Sequence, residues 1–160
     1  MDNVALIPAR GGSKRIKKKN IKFFNGKPMI AWVIEAIKSS KCFDKILVST
    51  DCKEVASVSR EFGADVPFLR PENISDDYSG VLPVVRHAID FFNNQRINIK
   101  IIAMVYPTAP FLSPDDLKNG MSLIHNADFV VSVTSFNYPI QRALVLKDHH
   151  KYIVMDNKEY

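Results

Sequence analysis

Apolar residues along the chain fall into two alternating rhythms. Val4-Ala5-Leu6-Ile7 is a continuous apolar run of strand length. Ile30, Val33, Ile34 and Ile37 then recur at helical spacing and predict an amphipathic helix over 28–39, ended by Ser39-Ser40. Lys45 to Thr50 reads as a second strand, with Asp51 at its carboxyl end. Val55, Val58 and Phe62 mark a second helix stopped by Gly63. Phe68-Leu69 is a short strand candidate before Arg70-Pro71. Val81, Val84, Val85, Ala88, Ile89 and Phe92 form the clearest helical stripe. Ile99 to Tyr106, apolar apart from Lys100, carries the signature of a central parallel strand. Pro114 opens a fourth helix through Leu117, Met121 and Ile124, and Phe129 to Val133 reads as another buried strand. Ala143–Leu146 and Tyr152–Met155 suggest a hairpin turning at Asp148-His149-His150.

Strand and helix alternate, which predicts an α/β fold with a parallel sheet covered on both faces. In such sheets ligands sit beyond the carboxyl ends of the strands. The chain places its unusual residues there. Ile7-Pro8-Ala9-Arg10-Gly11-Gly12-Ser13-Lys14-Arg15 follows the first strand, and Tyr106-Pro107-Thr108-Ala109-Pro110 follows the apolar run from Ile99. Adjacent glycines give the backbone freedom to turn successive N–H groups toward an anion. Arg10, Lys14, Arg15 and Lys19 add positive charge beside them, so the loop reads as a phosphate cradle. It matches neither the G-x-x-x-x-G-K-[ST] string nor the three-glycine dinucleotide fingerprint. A solvated basic loop, or one touching nucleic acid, is the competing reading.

Charge sharpens this picture. Lys and Arg number 22 against 17 Asp and Glu, and much of the net +5 lies in the first loop and in Lys17-Lys18-Lys19. That concentration favours a discrete anionic ligand over a nucleic-acid-coating surface, which would want interleaved exposed aromatics for stacking. Cys42 and Cys52 show no metal-ligand spacing and suggest thiols in a reducing cytoplasm. No run has the length of a membrane span, and Asp2-Asn3 before a short apolar run argues against a signal peptide. His87 and His125 fall on polar helix faces and His149-His150 in a turn, so all four read as solvated. Ser13 has no His–Asp partner suggested by spacing, which argues against nucleophilic catalysis.

The string IPARGGSKRIKKKNIKFFNGKPMIAW, with its Asn25-Gly26 turn and Pro28 at a helix start, resembles the opening signature of the cytidylyltransferases that activate nine-carbon acidic sugars. The resemblance runs along the whole chain and implies a Rossmann-like three-layer α/β/α nucleotidyltransferase fold with a mostly parallel sheet and a β-hairpin near the C-terminus. Residues 1–160 would be one nucleotide-binding domain, with 138–160 starting a dimerisation arm. The implied reaction transfers CMP from CTP to a pseudaminic or sialic acid type of sugar and releases pyrophosphate. Arg10 and Lys19 would be catalytic, on the triphosphate. Pro8, Ala9, Gly11, Gly12, Ser13, Asn20, Arg70 and Ser79 would complete the CTP site.

Arg70-Pro71-Glu72 and Ser75-Asp76-Asp77-Tyr78-Ser79 resemble the family segment that holds cytosine and ribose, although Ser75 to Asp77 could equally cap the next helix. Tyr106 replaces a glutamine of the sialic acid enzymes, a departure that points to the pseudaminic acid branch. Tyr106, Thr108, Gln141 and Arg142 would face the sugar. The resemblance also implies a homodimer, Mg²⁺ as cofactor, and no membrane or nucleic-acid partner. Its metal carboxylates would come from a segment past Tyr160, so no metal ligand is assigned here, and Asp51 and Asp76 stand only as possible helpers. A truncated form, a divergent short form and a fragment completed by a partner all stay open. So does a nucleotide-binding module that no longer turns over. A glycosyltransferase of similar fold would want an acidic metal motif that the chain does not display.

Overall fold

The structure, a computed structural model, describes residues 1–76, 78–135, 137, 144–147 and 151–154. Two compact units divide the chain, Met1–Asp128 and Phe129–Tyr160.

In the first unit, β1 (Asp2–Pro8) is the centre of a parallel sheet ordered β4-β1-β5, where β4 is Lys45–Ser49 and β5 is Ile99–Met104. The run Val4–Ile7 has no exposed face, because its side chains alternate between two buried layers. Ala5 and Ile7 pack with Ile30, Val33, Ile34 and Ile37 of helix α1 (Met29–Ser40) and with Val55 and Ala56 of helix α2 (Lys53–Glu61). Val4 and Leu6 pack on the opposite face with Leu47 and with Ala88 and Phe92 of helix α3 (Val81–Asn94). Pro83 falls in the first turn of α3, where a missing N–H breaks no intrahelical bond. Helices α1 and α2 on one face and α3 on the other make the three layers.

Between β1 and α1, the two-residue strands β2 (Phe23–Phe24) and β3 (Lys27–Pro28) pair antiparallel. Asn25 at φ 46° and Gly26 at φ 91° are both left-handed, as a tight hairpin turn of the primed kind requires. Pro28 then leads directly into α1.

Helix α4 (Pro114–Leu123) starts with a reciprocal cap. The Asp116 N–H donates to Ser113 Oγ at 3.2 Å, while the Ser113 N–H donates to Asp116 Oδ2 at 2.9 Å. The Ser113 N–H, and then the Ser113 hydroxyl donating to the same Oδ2 at 2.8 Å, hold the Asp116 carboxyl below its ordinary pKa. Ser113→Ala removes this cap and is expected to lower the melting temperature by about 2–4 °C, as measured by circular dichroism.

Three strand expectations change. β5 is an edge strand among the described residues, because it pairs only with β1 and its residues are half-buried or exposed. Phe68-Leu69 forms no strand. Asp65 instead makes the single bridge to Leu47, and Pro67, which has no N–H, ends the pairing there. Phe68 turns its ring edge-on to His87 and Phe91, at centroid distances of 4.5 and 5.1 Å. His87 therefore packs rather than standing in solvent, with Nδ1 buried.

In the second unit, Phe129–Val133 forms no strand, and Phe129 and Val133 are each 88% exposed. An apolar strand needs a neighbour to take its N–H and C=O groups, and none of the described residues pairs with this stretch. Leu144–Lys147 and Lys151–Val154 pair antiparallel as β6 and β7. The expected turn at 148–150 lies outside the described residues.

Candidate active site

The order of strands sets where a ligand fits. The chain passes from β1 to β4 on one side and returns past β1 to β5 on the other, so the sheet changes direction at β1. Such a switch opens a crevice at the carboxyl ends of the strands. A cleft of about 760 Å³ lies there, a size typical of small-molecule sites. Pro8, Arg10, Ser13, Lys19, Asn20, Arg70, Ser79, Tyr106 and Thr108 line it, bringing nine of the expected site residues together.

The loop after β1 leaves the sheet in steps. The Ala9 N–H still donates to Ser49 C=O at 2.9 Å, continuing the ladder, and Ala9 is fully buried. It supports the loop from below and does not line the cleft. The Gly11 N–H donates to Asp51 Oδ1 at 2.7 Å, and the Ser13 N–H donates to Gly11 C=O at 2.8 Å. Two of the three amides expected to face phosphate are therefore engaged within the protein.

Nor does the glycine pair serve an unusual dihedral, since the positive-φ glycines among the described residues are Gly26 and Gly63. Gly11 serves close approach. A Cβ there would lie 2.6 Å from Cys52 Cβ and 3.2 Å from Cys52 Sγ, whereas one at Gly12 would meet nothing within 4 Å.

Farther on, Lys18 takes a left-handed conformation and opens a single 3₁₀ turn, Lys19–Ile21. That turn buries Asn20 against the loop. The Asn20 Nδ2 group donates to Arg10 C=O at 2.8 Å, and its Oδ1 is buried with no hydrogen-bond partner among the described residues. A buried acceptor left unpaired is costly, so a ligand donor there would be well received.

Cations are fixed from three directions. Arg10 reaches across the cleft, its guanidinium donating to Asp76 C=O at 3.0 Å. Arg70 is only 7% exposed, and its Nε–H donates to Ser49 Oγ at 3.1 Å while its outer NH₂ donates to Ser49 C=O. Burial lowers the Arg70 pKa from its ordinary value; the Asp51 carboxylate opposes that, and Arg10 adds to it. Lys19 joins from the 3₁₀ turn.

Among the described residues of 75–79, none caps α3, whose first residue follows Gly80 with no side-chain cap. Asp76 Oδ1 instead accepts from the N–H groups of Tyr78 and Ser79, at 2.9 and 2.5 Å, which turns the loop back toward the cleft. Asp77, Gln141 and Arg142 lie outside the described residues. Val81 and Val84 of α3, which the sequence reading treated only as helix core, supply an apolar wall.

A family model described as Cytidylyltransferase matches residues 4–160. The chain belongs to the cytidylyltransferase family. It is 40% identical over 162 residues to the pseudaminic acid cytidylyltransferase of Campylobacter jejuni serotype O:2, covering 100% of this chain and 70% of that protein. It is 32% identical over 149 residues to the N-acylneuraminate cytidylyltransferase of Escherichia coli O18:K1:H7, covering 91% of this chain and 34% of that one.

Among solved structures, a CMP:2-keto-3-deoxy-manno-octonic acid synthetase complexed with CTP superposes with a TM-score of 0.64 at 25% identity, over 79% of this chain and 48% of that one. A 4-diphosphocytidyl-2C-methyl-D-erythritol synthase shares the fold at a TM-score of 0.56 and 17% identity, over 78% of this chain and 55% of that one. Family and fold are thus those of the expected Rossmann-like cytidylyltransferase.

Divalent-metal dependence is typical of cytidylyltransferases. Among the described residues no three His, Cys, Asp or Glu side chains converge to hold an ion. Asp51 and Asp76 both accept backbone N–H groups instead. These residues alone do not fit a divalent cation. Likewise, no described helix is long and apolar enough to cross a membrane.

Proposed function

We propose that this cytidylyltransferase binds CTP in the cleft between β1 and β5 and transfers CMP to a nine-carbon acidic sugar, with pseudaminic acid preferred over sialic acid. The convergence of Arg10, Lys19 and Arg70 on one cleft at the strand carboxyl ends carries the reading. The sugar's anomeric hydroxyl oxygen would form the new bond to the α-phosphorus as the bond from that phosphorus to the bridging oxygen of pyrophosphate breaks. Such a reaction asks the protein for positioning and charge neutralisation more than covalent chemistry. Arg10 and Lys19 suit the departing phosphates, and the Gly12 N–H would donate beside them.

Asn20 would belong to the CTP site, as expected, through its side-chain oxygen. Its orphan Oδ1 accepts and cannot face a phosphate oxygen, so it suits a ribose hydroxyl or a base amino group. Val81 and Val84 offer apolar surface in the same cleft as Ser79, and Tyr106 and Thr108, which also line it, would meet the sugar. The preference for pseudaminic acid rests on Tyr106 and on the 40% identity to the Campylobacter protein. Mg²⁺, with ligands outside the described residues, a homodimer built through an arm from 138 onward, and a cytoplasmic setting that keeps Cys42 and Cys52 as thiols complete the proposal.

Pyrophosphate release tests it. With CTP and pseudaminic acid the chain is expected to release pyrophosphate, at least tenfold faster than with N-acetylneuraminic acid, a discrimination of the size that mismatched pocket groups give. Binding of CTP without release from either sugar would identify a nucleotide-binding module that does not turn over. Equal rates with both sugars would remove the preference.

A further inference from the structure

The peptide unit joining Arg10 to Gly11 is held at both of its polar ends. Its C=O accepts from Asn20 Nδ2 at 2.8 Å, and its N–H donates to Asp51 Oδ1 at 2.7 Å. The two clamping residues come from different elements, one from the 3₁₀ turn after the loop and one from the turn after β4. The clamped plane anchors the Arg10 Cα on its Gly11 side, and the Ala9 N–H bond to Ser49 C=O at 2.9 Å holds the preceding residue, so the backbone from which Arg10 Cβ leaves is braced on both sides. From that origin the Arg10 guanidinium reaches Asp76 C=O.

We propose that Asp51 is a positioning residue for triphosphate binding: it clamps the Arg10–Gly11 peptide and thereby aims Arg10 into the cleft. The proposal rests on the CTP reading of the cleft for what Arg10 grips, and on the two hydrogen bonds alone for the clamp. Sequence placed Asp51 at a strand end as a possible metal helper. The structure gives its carboxylate another task, because Oδ1 already holds a main-chain donor. Three features support a task beyond filling space. The bond joins residues 40 apart in the chain, so it ties the β1 loop to the β4–α2 turn. The neighbouring close approach of Gly11 to Cys52 holds the same two segments together. The Asp51 charge also favours the cationic form of buried Arg70, so the same carboxylate bears on two of the cations that line the cleft.

Two measurements on the full chain separate the clamp from the ligand. First, amide hydrogen exchange at Gly11 reads the clamp with no nucleotide present. Asp51→Ala is expected to speed it at least tenfold, the effect of losing a charge-assisted bond, while Asp51→Asn, which keeps an acceptor oxygen, stays within about threefold of wild type. Second, CTP titration reads the consequence. Asp51→Ala is expected to raise Kd about tenfold in the wild-type background and less than about twofold in an Arg10→Ala background, since residues acting as one unit are not additive.

Asp51→Asn recovers most of the affinity, whereas a residue needed only for folding would show its loss in both backgrounds alike. Unchanged Gly11 exchange in Asp51→Ala overturns the clamp. An equal loss of CTP affinity in both backgrounds overturns its action through Arg10. If wild type binds no CTP while Asp51→Ala still frees the Gly11 amide, the CTP reading fails and the clamp stands.

Discussion

Arg10→Ala is expected to cut CTP-dependent pyrophosphate release by at least about 10²-fold, the loss seen when one preorganised donor to a developing negative charge is removed. Arg10 stands where the sheet changes direction, its C=O tied to Asn20 and its guanidinium bridged to Asp76 C=O at 3.0 Å. That bracing removes the reorganisation that a surface arginine would need on meeting a triphosphate. Arg10→Lys keeps the charge but loses the planar fork, so it is expected to recover only part of the rate. Steady-state kinetics separates two forms of the claim. A fall in kcat with little change in KM places Arg10 on the transition state, whereas a rise in KM alone places it on ground-state binding. Near-normal turnover of Arg10→Ala would remove the assignment.

Gly11→Ala is expected to weaken CTP binding at least tenfold, and Cys52→Gly in the same chain is expected to restore most of it. The clash is between two Cβ atoms, 2.6 Å apart, and neither can rotate away. The loop must lift from the β4–α2 turn, and the Gly11 N–H then leaves Asp51 Oδ1. Displacement of a binding group by about an ångström is enough for a large loss. Gly120→Ala is the matched control: a Cβ there meets nothing within 4 Å, the residue lies in α4 and does not line the cleft, and the affinity is expected to stay within about twofold. Isothermal titration of the four chains decides it. Normal affinity for Gly11→Ala, or no recovery with Cys52→Gly, would contradict the steric account.

How much of this was legible beforehand depended on the range of the interaction. α1, α2 and α3 were readable because Ile30–Ile37, Val55–Phe62 and Val81–Phe92 carry their own helical period. The Asn25-Gly26 turn was readable because two adjacent positive φ angles demand those residue types. β5, expected at the centre of the sheet, stands at its edge among the described residues for the opposite reason. An apolar run shows that a strand is apolar, but whether it is central depends on a neighbour elsewhere in the chain. Phe129–Val133 failed in the same way.

Within the cleft, the residue set was legible through a long motif, and the hydrogen bonds were not. Nothing local to Gly11 announces that its N–H goes to Asp51, or that it is small because Cys52 lies against it. Nor does Ser75-Asp76-Asp77 reveal whether it caps a helix or, as Asp76 does, folds a loop onto itself.

The central claim is that the cleft between β1 and β5 receives a nucleoside triphosphate through the loop after β1. Titrating the isotopically labelled chain with CTP and following backbone amide resonances tests it most directly. The account predicts saturable shifts concentrated at Arg10, Ser13, Asn20 and Ser79, which line the cleft, and at Gly12, flanked by two N–H groups that are already engaged. Saturable shifts confined to the groove between Lys45 and Ile97, with the loop after β1 unmoved, would contradict it.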